Sequence, residues 1–395
     1  MQERAVMDAT GTSDWYDPAI YPERRDHPPW VMEDMIEAQA SLPERMAGSL
    51  GNAAPRLLAM LRAAADAGAP IVVSGVGTSG HAARAVALIL NAAMGRSAVA
   101  AGPVEMRLSA DQAAAPRRGG LCLAISHGGL SKSTVRALGA AREAGARTAL
   151  ITATGNTPAQ DIAEVVLTTP LRDKSYCHTV GYTSPMLAAL YLASLWRNEA
   201  FPAGELGGYL RALLAMRPLA LAIGGELAKA KRLIAAGSLL DDPTARELAL
   251  KIAEGAWVPT TMLGVEDTLH GHLVGHDAES ALVVVATGGP DADRAAQGAR
   301  ELLLAARRIG LRTAAIGGDA LRGAIGAEEA GAGMFVLPAA PLPEVATALL
   351  GGAVALQMLT LGVVRARGTN PDFLRREQAA YREAVTLGGA KHKRR

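Results

Sequence analysis

Along most of the chain, short apolar runs end at Gly, Ser or Thr, and most are followed by an Ala- and Leu-rich stretch with helical spacing. Apolar runs of this length predict strands buried on both faces, which is the pattern of a parallel sheet covered by helices. Three of the segments recur. PIVVSG, ending at Gly75, is matched by RLIAAG, ending at Gly237. LCLAIS, ending at Ser126, is matched by LVVVAT, ending at Thr287, and AGARTALI, with Gly145, by IGLRTAAI, with Gly310. The offsets are 162, 161 and 165 residues. Such constancy predicts tandem copies of one βαβ-rich unit. The chain divides accordingly into an N-terminal arm and helix (1–52), a first domain (53–200), a helical connection (201–224), a second domain (225–367) and a C-terminal tail (368–395). Within the arm, Val31 to Ala40 is expected to be a helix.

One stretch needs separate treatment. Val345 to Val364 is twenty residues without a charge, about the length of a membrane span. It contains three Gly, two Thr and Gln357, and it follows strand-like Met334 to Leu337. A helix buried against a sheet is the expectation, with no membrane partner.

Length and composition agree with the pattern. The 395 residues suit two domains of roughly 100 to 200 residues, each with its own core. An apolar fraction of 50% with only 4% aromatics and 43 Gly favours helices packed closely on sheets over an aromatic-rich sandwich. Forty Lys and Arg against 38 Asp and Glu leave a formal charge of +2, too little for a nucleic-acid binder. The basic run Lys391 to Arg395 reads as a solvated tail. Cys122 and Cys177 have no disulfide or metal spacing, and Met1 to Thr12 lacks the apolar run of a signal peptide, so a reduced, cytoplasmic setting is expected.

Ligands of parallel sheets sit at the carboxyl ends of the strands, where loops meet helix N-termini. Two loops of the first copy have anion-binding chemistry. In GVGTSGHA, Gly75 to Ala82, glycines let the backbone approach an anion and Thr78 and Ser79 add hydroxyls. In ISHGGLSKST, Ile125 to Thr134, four hydroxyls (Ser126, Ser131, Ser133 and Thr134) exceed the one that a helix cap needs. Gly75, Gly77 and Gly80 also spell a dinucleotide fingerprint, but the next strand-like stretch, Ser97 to Ala101, ends without the acid that would hold a ribose, and no GxxxxGK[ST] occurs. Phosphate on a small molecule is preferred, and no cofactor is expected.

With strand-GTS-helix, strand-SxxGxSxxT-helix and a duplication together, the chain resembles the sugar isomerase (SIS) domain family from about Trp30 to Asp372. It is similar to the isomerase half of glucosamine-6-phosphate synthase, to SIS-type glucosamine-6-phosphate deaminases and to fructosamine-6-phosphate deglycases. The resemblance implies an α/β fold of two tandem SIS-type three-layer αβα domains, each with a mainly parallel sheet. It also implies a sugar phosphate held by Ser79, Ser126, Ser131 and Thr134, to which the loop chemistry adds the Thr78 hydroxyl and the His127 ring. The family's second loop reads SQSGxTxxT, whereas here His127 replaces Gln and Gly128 replaces the middle Ser. A His ring can still donate.

The family's chemistry comes from the second copy, from a helix reading ALKxxE and a later HG. Here ALKIAE runs from Ala249 to Glu254, and LHGH from Leu269 to His272. Lys251 and Glu254 are three apart, hence on one helix face. Moving a proton between C1 and C2 of a sugar needs a base that can also act as an acid. The resemblance assigns that role to Glu254, ring opening or protonation of a leaving amine to His270, and support of Glu254 or of a sugar oxygen to Lys251. His270, His272, His276 and Asp277 lack a zinc-site spacing, and no metal is expected.

The Lys with which the synthase forms a Schiff base has no counterpart in Pro371 to Ala379, and no Cys-led glutaminase domain precedes the first copy. Glutamine-dependent synthesis is therefore not expected. There remain isomerisation with deamination of a 6-phosphorylated amino sugar, deglycation of a fructosamine 6-phosphate, and non-catalytic sugar-phosphate sensing, which would not need Glu254 and His270. By resemblance the protein is a homodimer.

Overall fold

The computed structural model describes residues 23–95, 98–108, 115–289 and 292–388. The residues expected to form the start of the arm and the basic run Lys391 to Arg395 lie outside these.

The apolar runs are strands, in two five-stranded sheets whose every pairing is parallel. The first holds β1 (Ile71–Ser74), β2 (Ala98–Ala101), β3 (Leu121–Ile125), β4 (Arg147–Thr152) and β5 (Val165–Thr168) in the order β2-β1-β3-β4-β5. The second holds β6 (Arg232–Ala236), β7 (Thr260–Leu263), β8 (Ser280–Ala286), β9 (Arg312–Gly317) and β10 (Gly333–Val336) in the order β7-β6-β8-β9-β10. Strand for strand the two orders are the same. The three matched segments fall on β1 and β6, β3 and β8, and β4 and β9, so the constant offset was reporting equivalent positions of a repeated sheet.

The packing departs from the expectation of two separate cores. Successive side chains of a strand point to opposite faces, and the faces go to different places. Val72, Cys122, Ala124 and Leu150 pack outward with Leu138 of helix Lys132–Glu143. Ile234, Leu282 and Val284 pack outward with Leu302 and Leu303 of helix Ala292–Ile309. The opposite faces, with Val73, Leu123 and Ile151 of the first sheet and Leu233, Val283 and Ile316 of the second, join one continuous core. Between the sheets, that core is filled by helices Thr78–Met94, Val180–Arg197, Asp242–Ala256 and Glu344–Arg367. The two halves thus share a central layer.

Helix Glu344–Arg367 contains the uncharged stretch noted in the sequence. It is long and apolar enough to cross a membrane, but 94% of its apolar window is buried inside the protein. It packs mainly among helices of the central layer and also meets the second sheet at β9, so it is buried as expected, with more of its surface against helices than against strands. Its buried Gln357 accepts a hydrogen bond from the side-chain amide of Gln39 (2.7 Å) and donates one to the carbonyl of Thr179 (3.2 Å), which satisfies a polar group where water cannot.

The arm helix, Val31–Ala38, closes the assembly. Both carboxylate oxygens of buried Asp372, in the turn after the second domain, accept the leading amides of this helix, from Val31 (2.8 Å) and Met32 (2.9 Å). Buried Glu33 pairs with Arg217 and Arg365. Arm, connection and C-terminal turn are thereby tied together.

Helix Arg217–Leu227 crosses helix Glu344–Arg367 at backbone contact: a Cβ on Gly224 would lie 2.4 Å from the carbonyl oxygen of Leu359, whereas one on Gly225 would meet nothing within 4 Å. Neighbouring glycines of one helix should therefore respond with opposite signs. Gly225→Ala should gain up to about 1 kcal/mol from helix propensity. Gly224→Ala should lose about 1–3 kcal/mol because the crossing must open. Denaturant unfolding of the two variants reads both.

Candidate active site

The site is built where β1 and β3 end. After β1 the chain turns at once into helix Thr78–Met94, so closely that a Cβ on Gly75 would stand 2.3 Å from the carbonyl oxygen of Ser79. Gly77, at φ +58°, makes the left-handed turn that starts the helix. Thr78 and Ser79 thus lie in the first turn, where the helix dipole favours an anion. After β3, Ser126 is buried, and Ser131 caps helix Lys132–Glu143 by accepting the amide of Thr134 at 3.4 Å.

Both loops open on one cleft of about 420 Å³. Thr78, Ser79, Ser126, His127 and Ser131 line it, together with Glu254 from helix Asp242–Ala256 of the second half. Three other residues of the sequence-predicted set stand elsewhere. Thr134 is buried beneath its helix and does not line the cleft. Lys251 is fully buried behind Glu254. His270 lies on the surface, its side chain 75% exposed, with Nε2 3.2 Å from Glu266.

His127, which stands where the family has Gln, is turned into the protein. Its Nε2 accepts the backbone amide of Asp173 at 3.0 Å, and its ring lies 4.7 Å from that of His178. Burial, with the charge of Arg172, pushes its pKa down to about 4. Buried Asp173 accepts the amides of Ser175 (3.1 Å), Thr179 (2.6 Å) and Gly181 (3.1 Å), while burial pushes its carboxyl up to about 6. It thereby holds the turn before helix Val180–Arg197, and that turn brings Tyr176 and His178 to the cleft.

Behind the cleft runs a chain of ionisable groups. The Lys251 ammonium contacts a carboxylate oxygen of Glu254 and lies 3.5 Å from Glu247. The other oxygen of Glu247 lies 2.7 Å from Nδ1 of His81, in helix Thr78–Met94 of the first half. Burial works against the Lys251 charge, but Glu254 and Glu247 outweigh it and the pKa is raised. Burial raises that of Glu254, with Lys251 opposing. Glu254, 23% exposed, is the member of the chain that lines the cleft.

The second copy has the equivalent strand ends but different occupants. Thr287, the counterpart of Ser126, gives its amide to buried Asp241 (3.0 Å), and Gly289 gives its amide to Glu344 (2.6 Å). Carboxylates of the chain itself stand where an anion would go.

The sequence reading missed Glu247, His81, Tyr176, His178 and Arg376. For Glu247 a signal existed, since Glu247, Lys251 and Glu254 stand at i, i+4 and i+7 on one helix face. His81 sits inside the first loop motif. Arg376, whose guanidinium stacks 3.9 Å over the Tyr176 ring, reaches the cleft from an irregular segment with no periodic signal.

Residues 65–195, which span the first sheet, match the family model described as SIS domain, and over this stretch the chain is similar to that family. Its two sheets of equivalent order are consistent with a tandem of such domains. The isomerizing glutamine–fructose-6-phosphate aminotransferase of Thermus thermophilus is 29% identical over 184 residues, a match that takes in 43% of this chain and 30% of that protein's length. Among solved structures, the C-terminal domain of glucosamine-fructose-6-phosphate aminotransferase from Francisella tularensis superposes with a TM-score of 0.73 at 17% identity, covering 89% of this chain and 99% of that one. Tagatose-6-phosphate ketose/aldose isomerase from Escherichia coli gives 0.71 at 19% identity, covering 90% and 97%. Glucosamine-6-phosphate deaminase from Thermotoga maritima gives 0.65 at 15%, covering 87% and 96%. At these identities the structural likeness establishes the fold.

Because the folded pKa of His127 lies below its unfolded value of about 6.5, the stability that it contributes is present above that value and lost as pH falls toward about 4. Relative to His127→Gln, which does not titrate, the wild type should lose about 1–2 kcal/mol between pH 7 and pH 5. Denaturant unfolding of both proteins across that range measures it.

Proposed function

We propose that the protein is a sugar-phosphate-processing SIS enzyme that moves a proton between C1 and C2 of a 6-phosphorylated amino sugar or amine-linked sugar. One observation carries this reading: Glu254 shares a cleft with the hydroxyl-bearing loops of the first half. In it, Thr78, Ser79, Ser126 and Ser131 hold the phosphate, with the dipole of helix Thr78–Met94 adding to the attraction. The substrate is thereby positioned with its C1–C2 end toward Glu254.

Glu254, as carboxylate, takes the proton from one of these carbons, and an enediol or enamine forms. The same carboxyl returns the proton to the neighbouring carbon. With an amino group on C2 the product is an imine, to which water adds as ammonia leaves. Burial, which raises the Glu254 pKa, suits a group that must act as acid as well as base.

Deglycation of a fructosamine 6-phosphate is favoured over glutamine-dependent synthesis by the lysines. None lines the cleft among the described residues, and the Lys251 amine is sealed behind Glu254 as an ammonium, so neither offers a nucleophile for a Schiff base. Exposed His270 fits the homodimer that the family resemblance implies, in which it would reach the cleft of the neighbouring chain.

Incubation with glucosamine-6-phosphate and with fructoselysine-6-phosphate, assaying ammonia and free amine, tests the reading. Glu254→Gln should lower kcat at least about a hundredfold. Ser126→Ala should raise KM about tenfold with a smaller effect on kcat. Turnover that survives Glu254→Gln overturns the mechanism. Binding without turnover of either compound, weakened by Ser126→Ala, would make the protein a sensor.

Subunit complementation tests His270 separately. Glu254→Gln and His270→Ala chains, unfolded together and refolded in equal amounts, should recover about a quarter of wild-type activity if each cleft combines Glu254 of one chain with His270 of the other. No recovery from two inactive parents would place both residues of each cleft on the same chain, and full activity of His270→Ala by itself would place His270 outside the reaction.

A further inference from the structure

The chain of ionisable groups behind the cleft does not stay within the half that provides the acid/base residue. Glu247, Lys251 and Glu254 project from one helix, and the chain ends on His81, in the helix whose first turn carries Thr78 and Ser79. Glu247 is fully buried, and His81 is the partner of its Oε2. A buried carboxylate without a donor is costly. Without His81, Glu247 would draw the Lys251 ammonium toward itself and away from Glu254. His81 also has a way to water, since it lines a separate cavity of about 150 Å³ with Gly75, Arg84 and Arg246. The substrate cleft does not include it.

We infer that His81 is a positioning residue for Glu254: by donating to Glu247 it fixes how the Lys251 ammonium is shared between the two carboxylates, so that the phosphate-binding half sets the basicity of the acid/base group in the other half. The inference rests on the reading of Glu254 as the proton-transferring group. Its physical content, a coupling between His81 and the titration of Glu254, can be measured without turnover.

Several titratable neighbours enter the balance, among them the buried Tyr182 hydroxyl, which faces Glu247 from the first half. Glu254 faces Lys251 and Glu247 along its own helix and His81 from the first half, with the Cys177 thiol beside it. His178 and Arg376 line the same cleft. Lys251 in turn feels Asp173. Among these, His81 is the one that bonds Glu247 from across the interface between the halves. Removing a donor from Glu247 weakens the hold of Lys251 on Glu254, and a carboxylate that loses part of a cation binds its proton more tightly. The Glu254 titration should therefore move up, never down, when His81 is lost.

The experiment uses full-length protein labelled with carboxyl-¹³C glutamate, with the Glu254 resonance assigned by its loss in Glu254→Gln. In His81→Ala the titration should move up by about half a pH unit or more, a threefold or greater gain in proton affinity. His81→Asn, which keeps a donor near the Nδ1 position but cannot titrate, should return most of the way to wild type. Thermal unfolding of each variant separates this from loss of fold, because a merely structural role lowers the melting temperature without moving the titration. If either substrate is turned over, the rising limb of the kcat–pH profile should shift in the same direction, with KM nearly unchanged. Coincident Glu254 titrations in wild type and His81→Ala overturn the inference. Absence of turnover of both substrates, with the titration shifted, would count against the proposed reaction and leave the coupling standing. Should His81→Ala fail to fold, the comparison of His81→Asn with His81→Gln, which places its donor one methylene further out, reads the same coupling, and equal titrations there overturn it.

Discussion

An ammonium group out of reach of water has to be surrounded by negative charge, and Lys251 sits between Glu247 and Glu254 with no exposed surface. The energetic stake is large: removing one partner from a buried ion pair costs about 3–5 kcal/mol, because the other charge is left stranded. Spacing of four and three residues puts all three groups on one face of a single helix. That helix must then present this face to the first half, where His81 meets Glu247, while letting Glu254 at its end look into the cleft. The orientation of one domain against the other is bound to a few charges that would be intolerable in any other arrangement.

Duplication supplied two equivalent sets of strand ends, and the chain uses them differently. In the first half the loops after β1 and β3 offer hydroxyls and the start of a long helix to the cleft. In the second half the corresponding amides of Thr287 and Gly289 are given to Asp241 and Glu344. A carboxylate on such an amide satisfies the donor and repels an incoming anion at the same time. The strand-end groups are thus left open to the cleft in one copy and satisfied internally in the other. Strand order preserves the symmetry, and side chains break it.

Most of the fold was legible because burial leaves a mark on sequence. Apolar runs ending in Gly, Ser or Thr gave the strands, and their repetition gave the equivalence of the two halves, while the order of strands within each sheet came only from the structure. The loops with Thr78, Ser79 and Ser126 could be read because they follow strands directly. The shared core could not be read, since the length of the chain says nothing about which face of a sheet meets which helix. Nor could the inward turn of His127, which depends on an amide at Asp173, 46 residues away. Arg376 and Tyr176 come from irregular segments where no period exists to be recognised. Lys251 was legible as a neighbour of Glu254, but its complete burial, and with it the need for Glu247, follows only from the packing.

The central helical layer also sets an order of events. Helix Val180–Arg197 is complete when the first sheet is, yet part of its covering is helix Glu344–Arg367, which leaves the ribosome some 170 residues later. At synthesis rates of about 5–20 residues per second, the first half waits on the order of ten to thirty seconds with an apolar face open. The inner face of the first sheet layer is therefore finished by residues from the last fifth of the chain, so the native packing of the first half belongs to the end of synthesis rather than to its middle.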